Sequence, residues 1–249
     1  MASHLTKDDT LKIGRIVDFL EGSVVSRVAQ LLLAGILLAI WPALGCLNTG
    51  GLAQVRLLNA APGEASLNGF LGSSTFAASV DYATASDYVP VVAGSPTLVV
   101  APPGATTALT TQTPSLVSGT FYTVLVSGYP QSIATILLTD NNSPPPAAKM
   151  NLRVINASPS LGTADVYVVA PGTALDTVSP TVSGLTFRSA SSYVPLAAGN
   201  YEVDFTATGQ TMVLIQSSTL SFSVGEIRTV VGLNGAVTGY TTAVLADLN

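Results

Sequence analysis

The stretch RVINASPS at residues 153–160 decides how the chain is read, because RLLNAAPG at residues 56–63 carries the same Arg, Asn, Ala and Pro in the same order. The likeness runs on downstream. SDYVPVVAG at 86–94 faces SSYVPLAAG at 191–199, SGTFYTVLV at 118–126 faces VGEIRTVVG at 224–232, and ILLTDNN at 136–142 faces AVLADLN at 243–249. The offset grows only from 97 to 107 along this comparison, so insertions are small and fall between strands. The chain is a tandem duplication. NNSPPPAAK at 141–149 lies between the copies, and its three consecutive prolines favour an extended, semi-rigid polyproline II spacer. Residues 53–142 form the first repeat, 143–150 a proline-rich linker and 151–249 the second repeat, arranged in series.

Within each copy the apolar residues recur at every second position. In NYEVDFTA at 200–207, Tyr201, Val203 and Phe205 point one way and Glu202, Asp204 and Thr206 the other, which is the pattern of a half-buried strand. Similar β-branched runs stand at 54–59, 97–101, 121–127, 134–139, 152–156, 165–170, 211–216, 226–233 and 241–246, divided by turn residues. Short strands in units of this size predict an all-β fold: two tandem antiparallel immunoglobulin-like β-sandwiches after an N-terminal hydrophobic signal or anchor helix. The repeated phrase then acts as punctuation. Asn59 and Asn156 end a strand by accepting from the amide two residues on, and Pro62 and Pro159 cannot donate to a ladder.

Composition supports this class. The 249 residues are 48% hydrophobic and 9% charged, too few charges to clothe surface helices. The net charge is −5 and Lys149 is the only lysine after Lys12, so there is no basic stripe for a nucleic-acid backbone. At residues 31–46, LLLAGILLAIWPALGC is uncharged and follows Arg27; it has the length of an export signal and ends in a lipobox-like ALGC. Residues 1–46 read as an N-terminal region with a lipoprotein-type signal peptide, and Cys46 as the lipid attachment site. An uncleaved membrane helix over 28–47 is the alternative. Both place the repeats outside the cytoplasm, with an outer membrane or the cell surface favoured. Cys46 is the sole cysteine, so the folded repeats hold no internal disulfide.

The second copy resembles a mostly bacterial family, domain of unknown function 4397. The likeness is carried by Ala157, Ser158 and Pro159, then DVYV at 165–168, then Tyr193, Leu196, Ala198, Gly199, Tyr201 and Val203. The first copy departs from it with SLNGF at 66–70 in place of DVYV, and Asn59 and Asn156 stand where the family often has His. The resemblance implies exported, often lipid-anchored immunoglobulin-like sandwiches and implies no established activity.

The chemistry is chiefly subtractive. The one histidine, His4, precedes the signal, so a mature chain has no imidazole and no free thiol for nucleophilic catalysis or for a His- or Cys-ligated metal. No cofactor motif occurs. Glu202 and Asp204 on one strand face have the spacing of a carboxylate pair, for a hydrolase or calcium, and Asp140, Asn141 and Asn142 form an acidic cluster without the rest of a calcium loop. Tyr88 and Tyr193 occupy the same position in both copies, as recognition rings or as caps on the core. The expectation is a non-enzymatic envelope lipoprotein acting as a structural, adhesive or protein-binding module, with polysaccharide binding as the alternative and a carboxylate hydrolase a third. Its partners are a membrane and a protein or polysaccharide.

Overall fold

Along β1 (Leu52–Ala60) and β9 (Lys149–Asn156) consecutive residues are buried instead of alternate ones. A strand covered on both faces has to lie between two layers. The computed structural model describes residues 50–247, so residues 31–46 with Cys46, and the signal or anchor helix expected there, lie outside the described residues. Among the described residues no helix is long and apolar enough to cross a membrane.

The first copy packs one four-stranded sheet on another. Its inner sheet has the order β4-β1-β7-β8, with β4 at Val89–Val92, β7 at Phe121–Ser127 and β8 at Ala134–Asp140. Its outer sheet has the order β3-β2-β5-β6, with β2 at Ser66–Leu71, β3 at Ser74–Asp81, β5 at Leu98–Ala101 and β6 at Thr110–Gln112. Val55 and Leu57 of β1 meet Leu67, Phe76, Leu98 and Val124 in the core between them. SLNGF is β2, and Gly69 within it leaves room for the Phe76 ring, which a Cβ would approach to 2.6 Å.

The second copy repeats the plan. Its inner sheet joins β12 (Ser189–Ala190) and β13 (Val194–Ala197) to β9, then β17 (Ile227–Asn234) and β18 (Tyr240–Ala246). Its outer sheet has the order β11-β10-β14-β15, at Val182–Leu185, Ala164–Val169, Gly199–Ala207 and Val213–Gln216, with β16 (Leu220–Phe222) also on β14. Met150, Leu152, Val166, Phe205 and Ile215 fill its core. The all-β sandwich class read from the period-two pattern is what the strands build. One pair in each inner sheet is parallel, β1 with β7 and β9 with β17. The chain traverses the whole outer sheet between those partners, which gives the long connection that parallel pairing requires.

The copies do not stand in series across the proline spacer. Leu58, Ala60 and Leu125 of the first inner sheet pack against Ile155, Ala157, Val231, Leu233 and Leu245 of the second, with Ile136 and Leu138 alongside, in a third core. Side chains point to alternate faces, so Val55 and Leu57 serve the first core while Arg56 and Leu58 are sent into the junction. The layers run outer, inner, inner, outer, and residues 50–249 form one unit.

Candidate functional site: the junction between the copies

The Asn of each repeated phrase does what its chemistry predicts. Asn59 Oδ1 accepts from Ala61 N at 3.2 Å and Asn156 Oδ1 from Ser158 N at 3.3 Å. Each Nδ2 donates onward, Asn59 to the carbonyls of Glu64 and Val80 and Asn156 to those of Gly162 and Leu185. The Arg of the phrase has a larger task, which reading it as punctuation missed. Arg56 and Arg153 are each only 2% exposed, and a guanidinium is buried this deeply only when its charge is met.

It is met across the junction. Arg56 of the first copy pairs with Asp247 of the second, and Arg153 of the second pairs with Asp140 of the first at 2.7 Å. The two pairs are joined into a ring by threonines. Arg56 Nε donates to Thr123 Oγ1 at 2.9 Å, and that hydroxyl donates to Asp140 at 2.6 Å. Arg153 Nε donates to Thr229 Oγ1 at 3.1 Å, and that hydroxyl donates to Asp247 at 2.7 Å. Arg56 Nη1 also reaches Ala246 O at 2.9 Å, beside its aspartate. Burial works against the Arg153 charge, but Asp140, Tyr193 and Asp247 together outweigh this and hold the guanidinium above its ordinary range.

Tyr88 and Tyr193 close the ring on either side. Tyr88 donates to Asp140 at 2.7 Å and Tyr193 to Asp247 at 2.8 Å. Their faces lie against the arginines, 4.5 Å from Arg56 Cζ to the Tyr88 centroid and 4.9 Å from Arg153 Cζ to the Tyr193 centroid. Burial pushes both phenols upward, and the neighbouring aspartate of each adds to it. Asp140 is therefore spent on Arg153, Thr123 and Tyr88, so it does not join Asn141 and Asn142 as a cation ligand. Among the described residues no three His, Cys, Asp or Glu side chains converge to hold a metal.

At the C-terminal ends of β1 and β9 a second clasp ties the copies again. Tyr82 of the first copy donates to Asn234 O at 2.6 Å, and Tyr129 shares a 2.6 Å hydrogen bond with Ser160. Asn234 Nδ2 reaches both Tyr129 and Ser160, and Arg188 donates to Ser127 O at 2.9 Å.

Between the copies a cleft of about 670 Å³ opens onto the Arg56 side of the ring. Tyr88 and Phe121, edge to face at 5.3 Å, form its aromatic wall. Gln54, Ser86, Asp87 and Arg228 supply polar groups at the rim. Two arginines and two aspartates line it, so its net charge is near zero.

Glu202 and Asp204 lie apart from the junction, on the outer sheet of the second copy. Glu202 accepts from Gly172 N at 3.2 Å. Asp204 is 3% exposed and its Oδ1 has no hydrogen-bond partner. Burial pushes its carboxyl upward and Glu202 adds to this, against a hydrogen bond from Gln216. The folded chain therefore binds this proton more readily than the unfolded chain, so this term in stability grows as pH falls through the raised value. Asp204→Asn, which removes this proton linkage, is expected to be more stabilising at pH 7 than near pH 3, by about 1 kcal/mol. Urea midpoints at the two pH values check this.

The family model described as Domain of unknown function (DUF4397) matches residues 53–167 and again 152–249. Similar solved structures include the CBMbc module of family CBM26 from Eubacterium rectale Amy13K, in complex with maltoheptaose. It is 12% identical, over 80% of this chain and 98% of that one, with a TM-score of 0.25. Family 41 carbohydrate-binding modules from streptococcal virulence factors, described in terms of alpha-glucan recognition, are 12% identical over 77% and 96%, with a TM-score of 0.26. A streptococcal virulence factor described as binding alpha-glucan is 10% identical over 72% and 92%, with a TM-score of 0.23. Scores this far below 0.5 carry nothing about what this chain binds. A comparison with curated proteins finds no match. Both copies match one family description over nearly all of the folded region, and the chain belongs to the DUF4397 family.

Proposed function

We propose that the protein is a non-catalytic binding module of the cell envelope, tethered by a lipid on Cys46, with the junction cleft as its recognition site. The observation that carries the reading is the cleft itself: a pocket of about 670 Å³ with an aromatic wall, planar hydrogen-bonding groups and cancelling charges. Such a surface suits an uncharged, hydroxyl-rich ligand. The aromatic wall of Tyr88 and Phe121 covers the apolar face of a sugar, while Gln54, Asp87 and Arg228 exchange hydrogen bonds with its hydroxyls. A segment of envelope polysaccharide is the ligand class. The Arg–Asp ring beneath keeps the wall rigid, so little ordering is needed on binding.

The strongest groups near the cleft already face one another. Arg56 and Asp247 are paired, and Asp140 is bound by Tyr88, Thr123 and Arg153. None is placed as a free general acid or base, which supports binding over hydrolysis.

The test is affinity electrophoresis of the full chain in gels containing envelope polysaccharides, with Phe121→Ala and Gln54→Ala variants. Retarded migration of the native protein, reduced about tenfold in apparent affinity by either variant, is expected for one lost stacking or hydrogen-bonding contact. Equal retardation of all three proteins removes the cleft as the site. No retardation in any polysaccharide leaves the structural, adhesive or protein-binding role.

A further inference from the structure

We propose that the end of the first sandwich where the chain enters β1 is a surface that seats on a lipid bilayer; its tether rests on the lipid-anchor reading above. Leu52, Val92 and Val117 are exposed there by 52%, 58% and 59%. They form one group. Leu52 and Val92 are directly opposed in the β1–β4 ladder, and Gly119 N, two residues after Val117, donates to Leu52 O at 2.8 Å. Beside Val92 a recess of about 290 Å³ lies between Leu71, Phe76, Pro90, Val91 and Pro96.

The exposed segments that meet at this end are GGL at 50–52, PVVAGSP at 90–96, PSLVSGT at 114–120 and NNSPPPAA at 141–148, which leaves β8 beside them, and not one of their residues is ionisable. Loops of a water-facing sandwich end are ordinarily polar. The second copy serves as an internal comparison. Lys149 stands where the first copy has Leu52, Ala197 where it has Val92, and Ser223 where it has Val117. Val224 is exposed in that copy, but Lys149 and Glu226 flank it through bonds to Gly225 and Ser223. The same fold therefore carries charges at this end in one copy and none in these loops of the other. The copy without them is the one whose first strand follows Cys46.

The occupant is argued from chain length. Cys46 precedes Gly50 by four residues, which extend at most about 14 Å. A lipid on Cys46 would hold this end near the bilayer surface and the exit ends of β1 and β9 away from it. A net charge of −5 repels the folded region from anionic headgroups, and an end without carboxylates is the one that approaches most easily. Apolar side chains that enter the interfacial layer add buried area to whatever the lipid supplies and fix the orientation of the tethered unit.

The experiment uses the lipidated mature chain, which begins at Cys46 and lacks Trp41, carrying a single tryptophan from Val117→Trp or from Val237→Trp, a position 92% exposed at the opposite end between β17 and β18, in vesicles of phosphatidylethanolamine and phosphatidylglycerol. Thermal melts confirm that both variants fold. With bromine-labelled acyl chains, emission from position 117 is expected to fall at least twofold and that from position 237 to stay unchanged. Equal emission changes at the two positions overturn the proposal, as does an unquenched 117 in a chain that floats with the vesicles. Shielding of 117 from aqueous iodide without bromine quenching points to a protein or a second copy and also overturns it. Flotation of Cys46→Ser is read separately. Loss of flotation supports the anchor, whereas retained flotation sinks the anchor reading and leaves seating to be decided by the quenching.

Discussion

Replacement of Arg56 by Met is expected to destabilise the folded protein by about 3–5 kcal/mol, as is replacement of Arg153, because each leaves a carboxylate buried without its cation. The partners stranded are Asp247 and Asp140, whose side chains are fully buried. Around Asp247 the hydroxyls of Thr229 and Tyr193 would remain as hydrogen-bond donors, and the nearest cation, Arg153 Nη2 at 4.0 Å, is beyond hydrogen-bonding distance. Burying one charge unpaired disfavours folding far more than burying two together, so removing both partners restores most of the loss. Arg56→Met combined with Asp247→Leu is expected to recover at least about 2 kcal/mol relative to Arg56→Met. Urea denaturation of the four proteins in a double-mutant cycle checks this. A loss below about 1 kcal/mol for each single variant would mean that solvent reaches the ring.

Alkaline pH should dismantle the same junction. Tyr88 and Tyr193 donate into the ring and Tyr82 into the clasp, and burial raises all three phenols, Tyr82 to about 12 and the other two further. In the unfolded chain a tyrosine ionises near 10. Above that pH the unfolded state has fewer bound protons than the folded one, so stability falls as pH rises, and it is unaffected below. Tyr88 and Tyr193 each contribute at most about 1.4 kcal/mol per pH unit and the half-buried, solvent-screened Tyr82 less, so the three together give less than about 4 kcal/mol per unit between pH 10 and 12. Phenolate absorbance should appear for these three only as the protein unfolds, in step with the loss of strand circular dichroism. Tyr88→Phe should remove about a third of the slope. Independent titration of all eight tyrosines near pH 10 would show that the rings are wet.

Much of this was legible in the repeated words. The strand-ending role of Asn59 and Asn156 follows from the reach of a short amide side chain, a local property that needs no tertiary information. The strands at 121–127, 134–139 and 226–233 announce themselves by β-branched residues and turn boundaries. Short strands such as β6, β12 and β16 carry too few residues to show a period, and neighbouring ladders decide them. SLNGF shows the limit of pattern reading. It departs from the alternation of DVYV and still forms β2, because Gly69 yields its side-chain space to Phe76.

The ring also left a trace in the sequence. Where the copies have otherwise diverged, Arg56 and Arg153, Tyr88 and Tyr193, Thr123 and Thr229, and Asp140 and Asp247 stand at equivalent positions with the same residue type. Shared polar residues amid divergent neighbours are the available signal. The sequence reading uses two of the pairs, the arginines as letters of the repeated phrase and the tyrosines as recognition rings or caps on the core. Nothing linear joins them, since Arg56 and Asp247 are 191 residues apart.

The amino-acid order by itself determined that the chain holds two copies of one β-sandwich, where their main strands run, and that its only imidazole and thiol precede the repeats. Those properties are local or compositional: period, turn chemistry and residue counts. Only the tertiary structure decided that the copies lie face to face, that each arginine answers the aspartate of the other copy, and that a neutral aromatic cleft opens beside them. Which face of an inner sheet meets its counterpart depends on the joint burial of apolar area and paired charge from both copies, and a single strand carries no record of the partner across the junction.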